Sequence, residues 1–105
     1  MQESKIQSDS IEYALTQGCI GGKTDMAGRR GWPDCLFILP SGHTWFVEFK
    51  QLGAKLRPEQ IRTINKIRKN NADISVIDSI PEFHLALDNR LERFPAGDDN
   101  RPLRG

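Results

Sequence analysis

The chain has 105 residues, 37% of them hydrophobic and 28% charged, with a formal net charge of +1. That length and composition fit one ordinary globular domain built on a single core, and exclude a disordered or disulfide-stapled class. No apolar run approaches the roughly 20 residues needed to cross a bilayer, and Met1-Gln2-Glu3-Ser4 lacks the basic-then-apolar start of a secretory signal, so no membrane association and a cytoplasmic location are expected.

Met1 to Gln7 is polar and expected to fray. Ser8 or Asp9 can cap a helix, Asp9-x-x-Glu12 resembles a capping box, and Gly18 suits the position just past a helix ending near Gln17. Ile11, Ala14 and Leu15 form its apolar stripe, with Glu12 beside it. Cys19 to Thr24 reads as a short edge strand, although Gly21-Gly22 weakens it. The two cysteines, Cys19 and Cys35, have no CxxC or nearby histidine spacing and read as reduced, buried thiols. A loop from Asp25 to Gly31 carries Arg29 and Arg30.

Asp34 to Leu39 is apolar on both faces, which predicts a central strand covered on both sides. Pro40-Ser41-Gly42-His43 is a turn, and Thr44 to Lys50 is a second strand rich in β-formers. After a loop, Pro58 opens a helix to about Asn70 with Ile61, Ile64 and Ile67 in one row and Gln60 toward the sheet. Asp73 to Ile77 is a fourth strand. Ser79-x-x-Glu82 caps a last helix to about Phe94, with Ile80, Phe83, Leu87, Leu91 and Phe94 on one face. The folded unit therefore spans 1–94, and Pro95 to Gly105 reads as a flexible tail without a core. The order α-β-β-β-α-β-α predicts an α/β fold, a mixed sheet flanked by helices. The strands Thr44–Lys50 and Asp73–Ile77 should be parallel, joined by a right-handed crossover.

Strand parity then makes a demand. Side chains alternate faces, so Glu48 and Lys50 share one face while Trp45, Val47 and Phe49 share the other. Asp34 joins the Glu48 face only if it stands opposite Glu48. That requires an odd-length hairpin loop or a bulge, such as a three-residue loop with Gly42 in the left-handed conformation.

Asp34, Glu48 and Lys50 on one face suit a hard divalent cation. Mg²⁺ prefers oxygen ligands, and two carboxylates with the backbone carbonyl of Phe49 would supply three. The ion would activate water and polarise a phosphoryl group, with Lys50 orienting the attacking water and stabilising the phosphorane. Charge distribution favours a polyanionic partner. Lys23 to Lys69 holds ten Lys or Arg against four acids, two of which are Asp34 and Glu48. The alternative is a solvated charged surface with Asp34 as a turn residue.

Gly31-x-Pro33-Asp34, then Phe46-Val47-Glu48-Phe49-Lys50, then Leu56-x-Pro58-x-Gln60 resemble the VRR-NUC (virus-type replication-repair nuclease) family of the PD-(D/E)xK superfamily, over about Ser8 to Ile77. The resemblance implies a restriction-endonuclease-like core and a Mg²⁺- or Mn²⁺-dependent DNA endonuclease. It gives catalytic roles to Asp34, Glu48 and Lys50, places Gln60 at the border of the site, and lets Glu12 complete the metal environment. Arg57 stands where relatives often have a small capping residue, which leaves Gln60 free to face the site. Short relatives imply a homodimer cutting branched DNA such as four-way junctions in repair or recombination, inside a bacterium or a virus-infected bacterial cell. Lys23, Arg29, Arg30, Lys55, Arg57 and Arg62 are candidate phosphate contacts. Trp32 either packs under the site loop, or stacks on a base or wedges a junction. The competing readings are a non-catalytic DNA-binding module, a flap or nicking nuclease, and a sequence-specific restriction-type nuclease.

Overall fold

The structure is a computed structural model that describes residues 2–25, 30–97 and 103. Arg29 and most of the expected tail (98–102, 104 and 105) lie outside the described residues. The elements run α1 (Glu3–Thr16), β1 (Ile20–Lys23), β2 (Cys35–Ile38), β3 (Thr44–Phe49), α2 (Pro58–Lys69), β4 (Asp73–Ile77) and α3 (Ile80–Arg93). This is the expected α-β-β-β-α-β-α order. The sheet order is β1-β2-β3-β4, with β1/β2 and β2/β3 antiparallel and β3/β4 parallel. No helix among the described residues is long and apolar enough to cross a membrane.

The first helix departs from expectation at its start. It begins at Glu3, and Ile6 is fully buried. Residues 3–7 are therefore helical rather than frayed. The buried line is Ile6, Ser10 and Ala14, each four residues apart and so on one face. The expected stripe member Leu15 is 52% exposed. Asp9 does not cap the helix, because it lies inside it and pairs with Lys5 at 3.1 Å. The C-terminus follows expectation. Gly18 takes φ +88, while Cys19 N–H bonds the Ala14 carbonyl and Gly18 N–H bonds that of Leu15, a Schellman arrangement. Helix α2 ends the same way on Asn71, at φ +63.

One sheet face carries the main core: Ile6 and Ala14 of α1, Phe83 and Leu87 of α3, and Cys35, Phe37, Trp45, Val47, Phe49 and Ile77 from the strands. Tyr13 ties the two helices together, its hydroxyl donating to Asp88 at 2.6 Å and its ring stacking on His84. The other face carries a smaller cluster in which Ile64 and Ile67 of α2 meet Ile74, Phe46 and Val76. A single helix cannot cover four strands. Leu36 is only half-buried and Ile38 is 37% exposed, so β2 is central but fully covered on one face alone, not on both. Burial of the larger cluster supplies most of the hydrophobic stabilisation, at about 25 cal/mol per Å² of apolar surface. Ser79 caps α3 as expected, accepting the Glu82 N–H at 3.2 Å.

Candidate active site

The β2–β3 hairpin sets the site. Its register pairs Cys35 with Val47 and Ile38 with Thr44. Leu39 N–H reaches the His43 carbonyl at 2.9 Å, which leaves Pro40, Ser41 and Gly42 as a three-residue loop. Gly42 adopts φ +91, and its N–H closes the turn on the Leu39 carbonyl at 2.8 Å. Extending the register one step beyond Cys35 sets Asp34 against Glu48. This is the odd-length loop with a left-handed Gly42 that parity requires, and Trp45, Val47 and Phe49 lie in the core on the opposite face.

Asp34 sits just before β2 and is pinned from both sides. Its Oδ2 accepts the Phe49 N–H at 2.9 Å. Its carbonyl accepts the Thr24 N–H at 2.8 Å, while the Thr24 hydroxyl donates to the Pro33 carbonyl at 2.6 Å. Glu48 is 1% exposed, and its Oε2 is buried with no hydrogen-bond partner. Burial first, then a hydrogen bond to Asp34 and its negative charge, push the Glu48 carboxyl up to about 9. A buried carboxylate oxygen without a donor is costly unless a cation or proton satisfies it. With Asp34 it forms a hard oxygen donor pair of the kind that holds Mg²⁺ or Mn²⁺. No group of three or more His, Cys, Asp or Glu suited to a metal occurs among the described residues, so the donor set rests on these two carboxylates and neighbouring carbonyls. The Cys35 thiol is pushed up to about 12, by burial first, and stays protonated and inert.

The other expected residues are placed differently. Glu12 and Glu3 are both exposed on α1, and the Glu3 carboxyl feels the charge of Asp34. Burial raises the Glu3 carboxyl, the Asp34 charge raises it further, and Arg57 opposes both. The two glutamates lie nine residues apart, about two and a half turns at 3.6 residues per turn, so they point to opposite sides of the helix. The earlier helix start, signalled only by Ile6 in line with Ser10 and Ala14, is what the sequence reading missed.

Gln60 takes up the capping bond that the sequence reading expected it to leave unmade. Its Oε1 accepts the Arg57 N–H at 2.7 Å, satisfying a free donor at the start of α2. Arginine has no acceptor to return that bond, but the glutamine does not need one to cap. Lys50 follows Glu48 by two residues, and its amine donates to the Ala54 carbonyl at 2.9 Å and lies 3.7 Å from an Asp78 carboxylate oxygen. Its recorded contacts are thus with the loop and the end of β4, not with Asp34 or Glu48. Gln7, whose amide contacts Cys35 Sγ at 3.7 Å, lines a cleft with Lys23, Thr24, Trp32 and Asp34.

Of the expected phosphate contacts, Lys23, Arg30, Lys55, Arg57 and Arg62 are exposed. Arg30 and Arg57 line a hollow with Gly31 and Glu59, and Arg57 pairs with Glu59 at 3.0 Å. Trp32 is half-buried and meets Phe46 edge-on at 5.7 Å between ring centroids.

The family model described as the VRR-NUC domain matches residues 14–81. The chain is 39% identical over 79 residues to "Putative nuclease p44" of Acyrthosiphon pisum secondary endosymbiont phage 1, covering 70% of this chain and 85% of that protein. A solved structure titled "VRR_NUC domain" superposes with a TM-score of 0.76 at 33% identity, covering 82% of this chain and 94% of the other.

Proposed function

The chain belongs to the VRR-NUC domain family and carries a nuclease domain, and from that premise we propose that it is a divalent-metal-dependent DNA endonuclease selective for branched DNA, acting as a homodimer. One observation supports the metal-dependent reading above others: Asp34 and Glu48 face each other across the hairpin, with a Glu48 oxygen buried and unpartnered. Side chains spent on stability alone are not arranged so, because the unpaired oxygen costs folding free energy.

Asp34 and Glu48 would hold Mg²⁺ or Mn²⁺ together with the Phe49 carbonyl. The bound ion would supply positive charge to the scissile phosphate and a more acidic water. Phe49 N–H fixes Asp34 for that role. Lys50 leaves Ala54 and Asp78 to meet the phosphate, orienting the attacking water and balancing developing charge. Lys23, which shares the cleft with Asp34, and the exposed Arg30, Lys55 and Arg62 would hold the flanking phosphates, making binding steeply salt-dependent.

Branch selectivity and dimerisation rest on the family. The uncovered half of the sheet, where Ile20 is 62% and Ile38 37% exposed, offers apolar area for a second copy. The place of action is the cytoplasm of a bacterium or phage-infected cell, in keeping with the phage source of the p44 relative.

The test is a panel of four-way junction, flap, nicked and linear DNA, incubated with Mg²⁺, Mn²⁺ or EDTA. Cutting of branched substrates that needs the metal and vanishes in Asp34→Asn and Lys50→Ala is expected. Salt-sensitive binding with no metal-dependent cutting of any substrate would establish a DNA-binding module instead.

A further inference from the structure

A cavity of about 550 Å³ opens on the sheet face that α2 leaves half covered, between the site loop and the helix. Its walls include the Trp32 and Phe46 rings, and Arg30, Thr63, Lys66 and Asn70 bring charged and polar groups to it. This combination of aromatic surface, two cations, a hydroxyl and an amide differs from the more polar cleft at Asp34, yet the two spaces share Trp32. We propose that the cavity receives one unpaired nucleobase of the DNA strand being cut, stacked against Trp32 and flanked by phosphate contacts from Arg30 and Lys66. The inference rests on the nuclease reading and names a substrate feature that reading leaves open.

Three observations carry it. The first is chemistry. Aromatic faces beside cations are what single-stranded nucleic acid requires, since every base offers a π-face and every link a phosphate. The Asn70 amide and Thr63 hydroxyl add a donor and acceptors at the base edge. The second is size: the volume lies in the range of small-ligand sites, well above what a trapped water needs.

The third is position. Trp32 precedes Asp34 by two residues, and Phe46 precedes Glu48 by two on the same face of β3. Two strand residues span about 6.6 Å, which is roughly one to two nucleotides at about 3.4 Å per stacked step. A base in the cavity would therefore belong to a nucleotide beside the phosphodiester held at the carboxylates. A fully paired duplex cannot offer such a base without unstacking it, whereas a junction, gap or flap already does. Selectivity for branched DNA would then come from this cavity.

The experiment uses the full chain in EDTA with gapped and fully paired oligonucleotides, each carrying 2-aminopurine at successive positions around the cleavage point. Quenching confined to one unpaired position, one or two nucleotides from the cut, is expected. Trp32→Leu should abolish the quenching and lower the gapped-to-duplex affinity ratio about tenfold, the scale of one lost base stack. Thr63→Trp, which fills the cavity from the helix side, should do the same without altering the site loop. Quenching that is absent at every position, or that persists in Thr63→Trp, overturns the inference. So does a change of Thr63→Trp in oligomeric state alone, which would assign the cavity to a second copy of the chain. Failure of the nuclease reading shows separately, as quenching without metal-dependent cutting.

Discussion

The backbone of Gly31 lies directly against the carbonyl of Glu59: a Cβ at Gly31 would come within 2.5 Å of that oxygen. Gly31 also takes φ +77, a region that costs L-residues roughly 1–2 kcal/mol. The glycine before Trp32-Pro33-Asp34 is thus the point where the site loop docks on the first turn of α2. The Gly-x-Pro-Asp and Pro-x-Gln motifs, read separately in the sequence, are one contact. Gly31→Ala is expected to destabilise the chain by about 2 kcal/mol or more, lowering Tm by about 10 °C. Cleavage should fall further than stability predicts, since the displaced loop carries Asp34. Thermal denaturation and cleavage rates measured well below Tm check both. An unchanged Tm would mean that the loop docks elsewhere.

Glu48 makes stability depend on pH. Its carboxyl sits at about 9 in the folded chain against an ordinary 4.5. Between those values the folded state holds a proton that the unfolded state has released. Stability in EDTA is therefore full below about 4.5 and falls as pH rises toward 9. From pH 6 to 8 the loss should be about 2–3 kcal/mol, or about 10–20 °C in Tm. Glu48→Gln removes the titrating group and should flatten this limb of the curve. Added Mg²⁺ should restore the parent at pH 8 and leave the variant unmoved. A parent whose Tm in EDTA is level from pH 6 to 8 contradicts the assignment.

Glu3 and Glu12 offer a contrast within one helix. The Glu3 carboxyl feels the Asp34 charge, and Glu3 in turn adds to the raised Glu48 carboxyl. Glu3→Gln should raise the Mg²⁺ concentration needed for half-maximal cleavage about tenfold, the usual scale for a group supporting a metal site. Glu12→Gln should stay within about twofold of the parent. Equal effects from the two substitutions would remove α1 from the site.

What the sequence made legible, and what it hid, follows from the kind of constraint involved. The pairing of Asp34 with Glu48 was readable because strand periodicity and hairpin length are coupled: a one-residue change flips a whole face. Gly42 could satisfy that coupling, and it does. The start of α1 was hidden because a buried serine, Ser10, interrupts the apolar line from Ile6 to Ala14. Apolar periodicity then pointed to Leu15, which is largely exposed. Gln60 was misread through its neighbour. The absence of a Ser or Thr at Arg57 removes one bond of a capping box but not the backbone N–H that Gln60 satisfies. The uncovered half of the sheet has no signature along the strand, because apolar residues there look the same whether or not a helix reaches them.

At the other end of the sheet, Asp73 accepts two bonds from Arg90, at 2.7 and 2.9 Å, and sits 2.8 Å from His43 Nε2. Arg90 also lies over the Trp45 ring at 4.4 Å and bonds Ser75, which in turn accepts the Trp45 indole N–H. Burial would raise the Asp73 carboxyl, but its bonds to Arg90 and His43, with their charge, hold it below the ordinary value. Its contribution is therefore present above the ordinary carboxylate range and fades as pH falls through its folded value. Arg90→Leu leaves that half-buried carboxylate without its bidentate partner and should cost about 2 kcal/mol at pH 7. The variant should also lose less stability than the parent on acidification below about pH 4. Asp73 pairs with Trp45 in the register, and Glu48 with Val76 three residues along, which places the network about 10 Å from the carboxylates. Arg90→Leu should accordingly leave the Mg²⁺ dependence of cleavage at 25 °C unchanged while lowering Tm by about 10 °C. A shifted metal dependence in this variant would show that the two ends of the sheet are coupled.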